Sequence, residues 1–297
     1  MFANIEELAA RTESLCPTDE MAQKSVAIIG LGSGGSLIAW WLAATGLGKI
    51  ILVDPDRLET VNVWRHLCDT SDLGKPKVLA VSQRLKRVNP HCKIEQYSWD
   101  IVAKEERLHA ILMEANVSLL IVATDTKESR RVANNIALDL KVSALYGACF
   151  ENAHAGEIAL ARPEHACHGC FQAAVAALEP EHDSNVGFDY SEDTNEKSEP
   201  PAAGLGMSVG LIANLQSHIA LWALREDMGH PFPLRGNYFL LTTSSFPIIS
   251  QQPFTFRQWF VQKRRDCLFC KSKKEQKELA KEGRQIIEAL EAKAGGQ

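Results

Sequence analysis

"VAIIGLGSGGSLIAWWLAATGLGKIILVDPD", Val26 to Asp56, decides how the rest of the chain is read. It carries Gly30-x-Gly32-x-x-Gly35 between an apolar run and an apolar helical pattern, and the next apolar run ends at Asp54. In a turn from strand to helix the first glycine permits the tight bend. The second lets phosphate approach the backbone, and the third lets helix and strand pack closely. The helix N-terminus offers free N–H groups and the positive end of its dipole. A carboxylate closing the following strand is placed for ribose hydroxyls. A tight structural turn would use the same glycines; the order strand, loop, helix, strand, acid is what points to a nucleotide. This stretch alone leaves open whether that nucleotide is NAD or a consumed triphosphate.

Outward from it, strand and helix patterns alternate. Strands are expected at Val26–Ile29, Ile50–Val53, Lys93–Tyr97, Leu119–Ala123 and Val142–Tyr146, with helices over Gly35–Thr45, Pro76–Val88, Glu105–Glu114 and Ser129–Leu140. This rhythm predicts an α/β fold, a Rossmann-like, doubly wound, mostly parallel sheet. After Gly147 it changes to late strands at Glu157–Ala161, Tyr238–Thr242 and Phe254–Phe260, with a long apolar helix over Leu205–Leu224. The expected organisation is an N-terminal helix (Ile5–Leu15) and arm over 1–23, one large domain over 24–271, and an amphipathic helix with a frayed tail over 272–297. The segment 178–201 sets eight carboxylates against Lys197 and reads as an acidic mobile insertion, either a solvated loop or one that closes over a substrate tail.

Composition narrows the function. The 297 residues carry a net charge of −5, so nothing electrostatic supports nucleic-acid binding. No run approaches the roughly 18–20 apolar residues of a membrane span. The start, "MFANIEELAARTESLCPTDE", lacks a basic flank and apolar core, so the expected location is cytoplasmic. Four of the eight cysteines form two CxxC pairs, Cys167/Cys170 and Cys267/Cys270, and in a chain without a secretion signal that spacing suggests metal rather than disulfides.

The residues after Asp54 shift the reading from NAD. Asn62, Arg65 and, just inside a helix, Lys77 form a polar and cationic set. Hydride transfer has no need of it; phosphoryl or nucleotidyl transfer does, because charge on the triphosphate must be neutralised while a bond to phosphorus breaks. Taken singly, Arg65 and Lys77 could equally be surface residues. Asp125 follows the buried strand Leu119–Ala123 and suits either Mg²⁺ or a helix N-cap.

At these residues the sequence resembles the ThiF/MoeB/HesA family, the bacterial relatives of ubiquitin-activating enzymes. The resemblance runs from about Lys24 to Cys270 through "GLGSGG", "LVDPDRLETVNVWRH", "LGKPK", Asn89-Pro90, "ATDTKESR" and the two CxxC pairs. It implies an adenylyltransferase: the C-terminal carboxylate of a small ubiquitin-like or sulfur-carrier protein ending in Gly, or of a peptide, attacks the α-phosphate of ATP and pyrophosphate leaves. Gly30, Gly32, Gly35 and Asp54 would hold the nucleotide, with Asp54 on the ribose. Asn62, Arg65 and Lys77 would contact phosphates, and Asp125 would be linked to Mg²⁺. Arg65, Lys77 and Asp125 are the expected catalytic residues; Arg130 matches a family arginine without a fixed role. A carboxylate is already ionised near pH 7, so no strong base is required. Spacing and resemblance together imply a structural Zn²⁺ on Cys167, Cys170, Cys267 and Cys270. A homodimer is expected.

The sequence departs from the family pattern in three places. The N-terminal Arg-x-x-Arg-Gln is missing, leaving only Arg11; His66 replaces the glutamine that usually follows Arg65; and Phe171–Leu205 contains no cysteine. The last point implies activation without a thioester cysteine, as in the MoeB type, with Cys68 and Cys149 read as small buried residues. The acidic insertion and tail helix favour a specialised partner. Alternatives are a peptide-modifying adenylase of the same fold, an NAD-dependent oxidoreductase, and a non-catalytic scaffold partner.

Overall fold

Eight strands form one sheet in the order β3-β2-β1-β4-β5-β6-β7-β8. The computed structural model describes residues 4–150, 152–176, 203–245 and 250–271, with Glu278, Lys281 and Arg284. The acidic insertion and all but those three positions of the expected C-terminal helix lie outside the described residues; the three are helical. Strands β1 (Ser25–Ile29), β2 (Lys49–Val53), β3 (Lys93–Tyr97), β4 (Leu119–Val122) and β5 (Ser143–Cys149) run parallel. Strands β6 (Ala155–Ala161), β7 (Tyr238–Thr242) and β8 (Phe256–Trp259) add antiparallel. The strand order reverses between β1 and β4, which opens a crevice at their C-terminal ends.

The central strands are unbroken apolar runs because both of their faces are covered. On one face α3 (Ser33–Ala43), α4 (Lys77–Val88) and α8 (Gly206–Arg225) pack on Val26, Ile28, Ile50 and Leu52. On the other, α5 (Glu105–Glu114), α6 (Lys127–Leu140) and α7 (His168–Ala176) cover Ala27, Ile29, Ile51 and Val53. Each fully buried Ile or Val contributes about 1.5–3 kcal/mol relative to exposure. The edges differ in kind. Edge strand β3 is ringed by charge, with Glu95 paired to Lys49 and Lys93 at 3.0 Å each, whereas β8 leaves all four residues exposed.

The N-terminal segment departs from expectation. Instead of one helix over Ile5–Leu15 there are two short ones, α1 (Ile5–Ala9) and α2 (Thr18–Ala22). α1 buries nothing and Leu15 is exposed, so no apolar contact carries the helix onward; α2 restarts behind Pro17 to place Met21 in the core. Helix α7 was not anticipated either, because its start is set by a distant residue: Asn134 on α6 accepts the His168 N–H at 2.9 Å. With its terminal turn, Gly206–Met228 is long and apolar enough to cross a membrane by length and composition, which differs from the sequence reading. Here it lies against α3 and the sheet, burying Ile212, Ala213, Ile219 and Leu224.

Candidate active site

The turn from β1 to α3 needs glycine at two points for reasons of space. Gly30 has φ +88°, and a Cβ there would stand 2.5 Å from the Ala123 carbonyl oxygen. At Gly35 a Cβ would collide with the Gly30 carbonyl, so the helix packs directly on its own loop. Gly32 is the opposite case: nothing lies within 4 Å of its Cβ position. It is also the N-cap of α3, with no side chain closing the helix end. The loop is therefore rigid behind and open in front, where an anion can meet free N–H groups.

Asp54 secures this loop from below. It is 4% exposed, and its carboxylate accepts from the Leu31 N–H at 2.6 Å and the Asp56 N–H at 2.8 Å. Burial raises its pKa from the ordinary value, against the pull of Lys77 and of those two donors. Each oxygen accepts one N–H, so the buried Asp54 has only its remaining lone pairs for the expected ribose contact. The carboxylate with room is Asp56, two residues on, whose exposed side chain meets Lys77 Nζ at 2.7 Å. Lys77 is buried along its length, and its own N–H donates to the Asp56 carbonyl at 2.9 Å.

The other expected residues divide. Asp125 sits exposed past the end of β4, beside the glycine loop, and has no hydrogen-bond or ion-pair partner among the described residues. The N-cap alternative for it falls away, because Thr126 caps α6 by accepting from the Ser129 N–H at 3.3 Å. Asn62 locks the 3₁₀ turn Thr60–Arg65 in a reciprocal cap with Glu59. Arg65 leaves that turn toward the junction of β5 and α8, where its backbone borders Gly206 and its guanidinium lies near Gly204 and Cys149. Arg130 is a brace, donating to the carbonyls of Thr124 at 2.9 Å and Gly147 at 2.8 Å across the ends of β4 and β5.

Away from this crevice, the four CxxC sulfurs lie within 4.8 Å of one another. The Cys167–Cys267, Cys170–Cys270, Cys167–Cys170 and Cys167–Cys270 distances are 3.7, 3.5, 3.9 and 3.3 Å. A tetrahedron with Zn–S near 2.3 Å has edges of about 3.8 Å, so the donor set and its spread fit zinc. The Arg264 N–H points at Cys170 Sγ at 3.4 Å, as expected for a sulfur that carries charge when ligating. The two pairs join α7 to the turn Leu268–Cys270 after β8, closing the antiparallel half of the sheet.

The pattern of the ThiF family matches residues 7–268. This chain belongs to the ThiF family. Among relatives it is 30% identical over 206 residues to ubiquitin-like modifier-activating enzyme 5 of Culex quinquefasciatus, covering 66% of this chain and 49% of that protein. The corresponding enzyme of Bombyx mori is 28% identical over 243 residues, 79% of this chain and 58% of its own. The chain thus spans about half the length of the curated relatives it matches. Its fold is similar to that of E. coli MccB crystallised with ATP (TM-score 0.64, 17% identity, 86% of this chain and 68% of that one). It is likewise similar to PaaA (TM-score 0.60, 18% identity, 89% and 77%).

Two residues of this ThiF-family site escaped the sequence reading. Asp56 could have been found from the Asp-Pro-Asp spacing, since Pro55 forces a turn that sends the two carboxylates to different environments. His66 was noted only as a departure. It bonds the Leu31 carbonyl through Nε2 at 2.7 Å and accepts the Cys68 N–H on Nδ1 at 3.0 Å. No local pattern signals a contact with a residue thirty-five positions earlier.

Proposed function

We propose that this ThiF-family chain is an ATP-dependent adenylyltransferase acting on the C-terminal carboxylate of a small ubiquitin-like or sulfur-carrier protein. The observation that carries the reading is the convergence on the β1/β4 crevice: an open glycine loop, the Lys77–Asp56 pair at 2.7 Å, and Asp125, which has no partner among the described residues. The loop N–H groups and the dipole of α3 receive phosphates. Lys77 moves from Asp56 to the triphosphate, which frees Asp56 for the ribose hydroxyls, while Asp54 keeps the loop in place. Arg65 borders the same edge of the sheet and adds positive charge where the carboxylate enters. The carboxylate oxygen attacks the α-phosphorus, the bond to pyrophosphate breaks, and the acyl-adenylate remains. Asp125 offers hard oxygen ligands and would hold Mg²⁺, which would supply neutralisation of phosphate charge there. Catalysis is alignment and charge neutralisation.

The remaining thiols support activation without covalent capture. Burial pushes Cys68 and Cys149 up to about 11, so both are protonated at neutral pH. A second copy of the chain is the proposed neighbour of an apolar face beside the site: Trp64 is 99% exposed, with Val61, Leu205 and Met207 next to it. The four cysteines would hold a structural zinc. Two observations favour the ubiquitin-like partner: the named relatives are ubiquitin-like modifier-activating enzymes, and the family match over residues 7–268 includes the site. The likeness to MccB, crystallised with the peptide MccA, supports a peptide carboxylate as the second reading. The test is mass spectrometry of candidate partners after incubation with Mg²⁺ and ATP. A Gly-ending ubiquitin-like protein is expected to gain one AMP at its C-terminus. Gain by a ribosomal peptide alone would select the second reading, and ATP binding with no AMP gain by either would sink both.

A further inference from the structure

Two successive peptides of the nucleotide loop are clamped from opposite sides. Asp54 takes the Leu31 N–H at 2.6 Å, and the His66 ring takes the Leu31 carbonyl at 2.7 Å. That carbonyl belongs to the same peptide unit as the Gly32 N–H. In a planar trans peptide the two point in opposite directions, so holding the oxygen toward His66 turns the N–H away from it. Gly32 is the open member of the loop, with nothing near its Cβ position. The tautomer follows from the other ring nitrogen: the Cys68 N–H donates to Nδ1, so Nδ1 is bare and Nε2 carries the proton given to Leu31.

We propose that His66 is a positioning residue for ATP: its neutral ring fixes the Leu31–Gly32 peptide so that the Gly32 N–H faces the incoming phosphates. The inference rests on the adenylation reading and goes beyond it by giving a role to a residue that departs from the family pattern. The contact is not the sole support of its segment, since the Ser36 hydroxyl on α3 also accepts the Leu67 N–H at 3.3 Å. Loss of the ring contact therefore loosens the loop without detaching the turn.

A second ring proton on Nδ1 would face the Cys68 N–H and end that bond, whereas Nε2–H donates to Leu31 in either protonation state. The groups around the ring are Lys77 on α4, Asp72 in the turn Thr70–Asp72 (itself paired with Arg84 and Lys75), Cys68 and Arg65 in its own segment, and Asp54 behind Leu31. Burial lowers the His66 pKa from 6.5 and Lys77 pushes the same way, against the Leu31 bond and Asp72. A lowered pKa means the folded form favours the neutral ring. The Cys68 bond to Nδ1 is complete above 6.5 and is lost only as pH falls through the lowered folded value, while the Leu31 tether does not depend on that titration.

The experiment is calorimetric titration of the full chain with a non-hydrolysable ATP analogue and Mg²⁺ at about pH 7.5, where the ring is neutral. Wild type is compared with His66→Gln and His66→Asn. The glutamine amide reaches the Nε2 position and can donate to Leu31; the shorter asparagine reaches only the Nδ1 position. The His66→Gln protein is expected to match wild type. The His66→Asn protein is expected to bind about tenfold more weakly, the size of one hydrogen bond. Equal affinity of His66→Asn and wild type, or binding by His66→Gln as weak as by His66→Asn, overturns the proposal. If His66→Asn does not fold, His66→Gln decides alone, and about tenfold weaker binding by it overturns the proposal. Failure of wild type to bind the analogue overturns the adenylation reading and this inference with it.

Discussion

The nucleotide crevice and the cysteine cluster are built on opposite principles. At the crevice the backbone is over-determined and the ligand groups are left waiting: Gly30 and Gly35 admit no Cβ, while Gly32 faces open space and Asp125 has no partner among the described residues. At the cluster the four ligand atoms already converge within 4.8 Å and three of the four residues are buried. The first arrangement keeps its electrostatics free for a transition state. The second closes on itself, as a structural Cys₄ site does, and ties strands that are far apart in sequence. Chemistry and stability should therefore separate under mutation.

The largest effect is expected at the crevice. Lys77→Ala and Asp125→Ala should each slow formation of the AMP adduct by about 10²–10³-fold, the scale of a lost transition-state charge partner. Bound zinc should stay at wild-type levels in both, and the thermal midpoint should stay unchanged in Asp125→Ala, whereas loss of the buried Lys77 stem should lower it modestly. A loss of zinc together with activity would break the separation. The complementary change is Cys170→Ser, read by elemental analysis and thermal unfolding. It should abolish stoichiometric zinc and lower the midpoint, while nucleotide affinity measured below the new midpoint stays within about threefold. A smaller effect concerns the two acids: Asp56→Asn should raise the KM for ATP without altering stability, whereas Asp54→Asn should lower stability as well, because it disturbs the buried loop bonds. Trp64→Glu should shift the protein toward monomer in light scattering and leave zinc intact. Least of all, Thr126→Ala should cost about 1 kcal/mol in denaturant unfolding, the value of one helix cap, and leave chemistry untouched.

What could be read from the sequence follows the same division. The parallel half was legible because its central strands are continuous apolar runs and its helices have clear stripes: the expected Val26–Ile29 lies within β1 and Glu105–Glu114 matches α5. The CxxC pairs were legible because two knuckles encode their own geometry. The N-terminal helix was misjudged because its stripe, including Leu8 and Leu15, meets no core. Helix α7 was missed because a cap from Asn134 starts it. The split between Asp54 and Asp56 was hidden for a related reason. Two carboxylates two residues apart look alike in sequence, and only the fold shows that one faces Leu31 and the other Lys77.

The central claim is that this site consumes ATP at the α-phosphate. It is tested most directly by exchange of labelled pyrophosphate into ATP in the presence of a Gly-ending ubiquitin-like partner. The account predicts exchange that requires the partner's terminal carboxylate and is lost in Lys77→Ala and Asp125→Ala. Release of ADP and phosphate instead, or no exchange under conditions where ATP is bound, would contradict it.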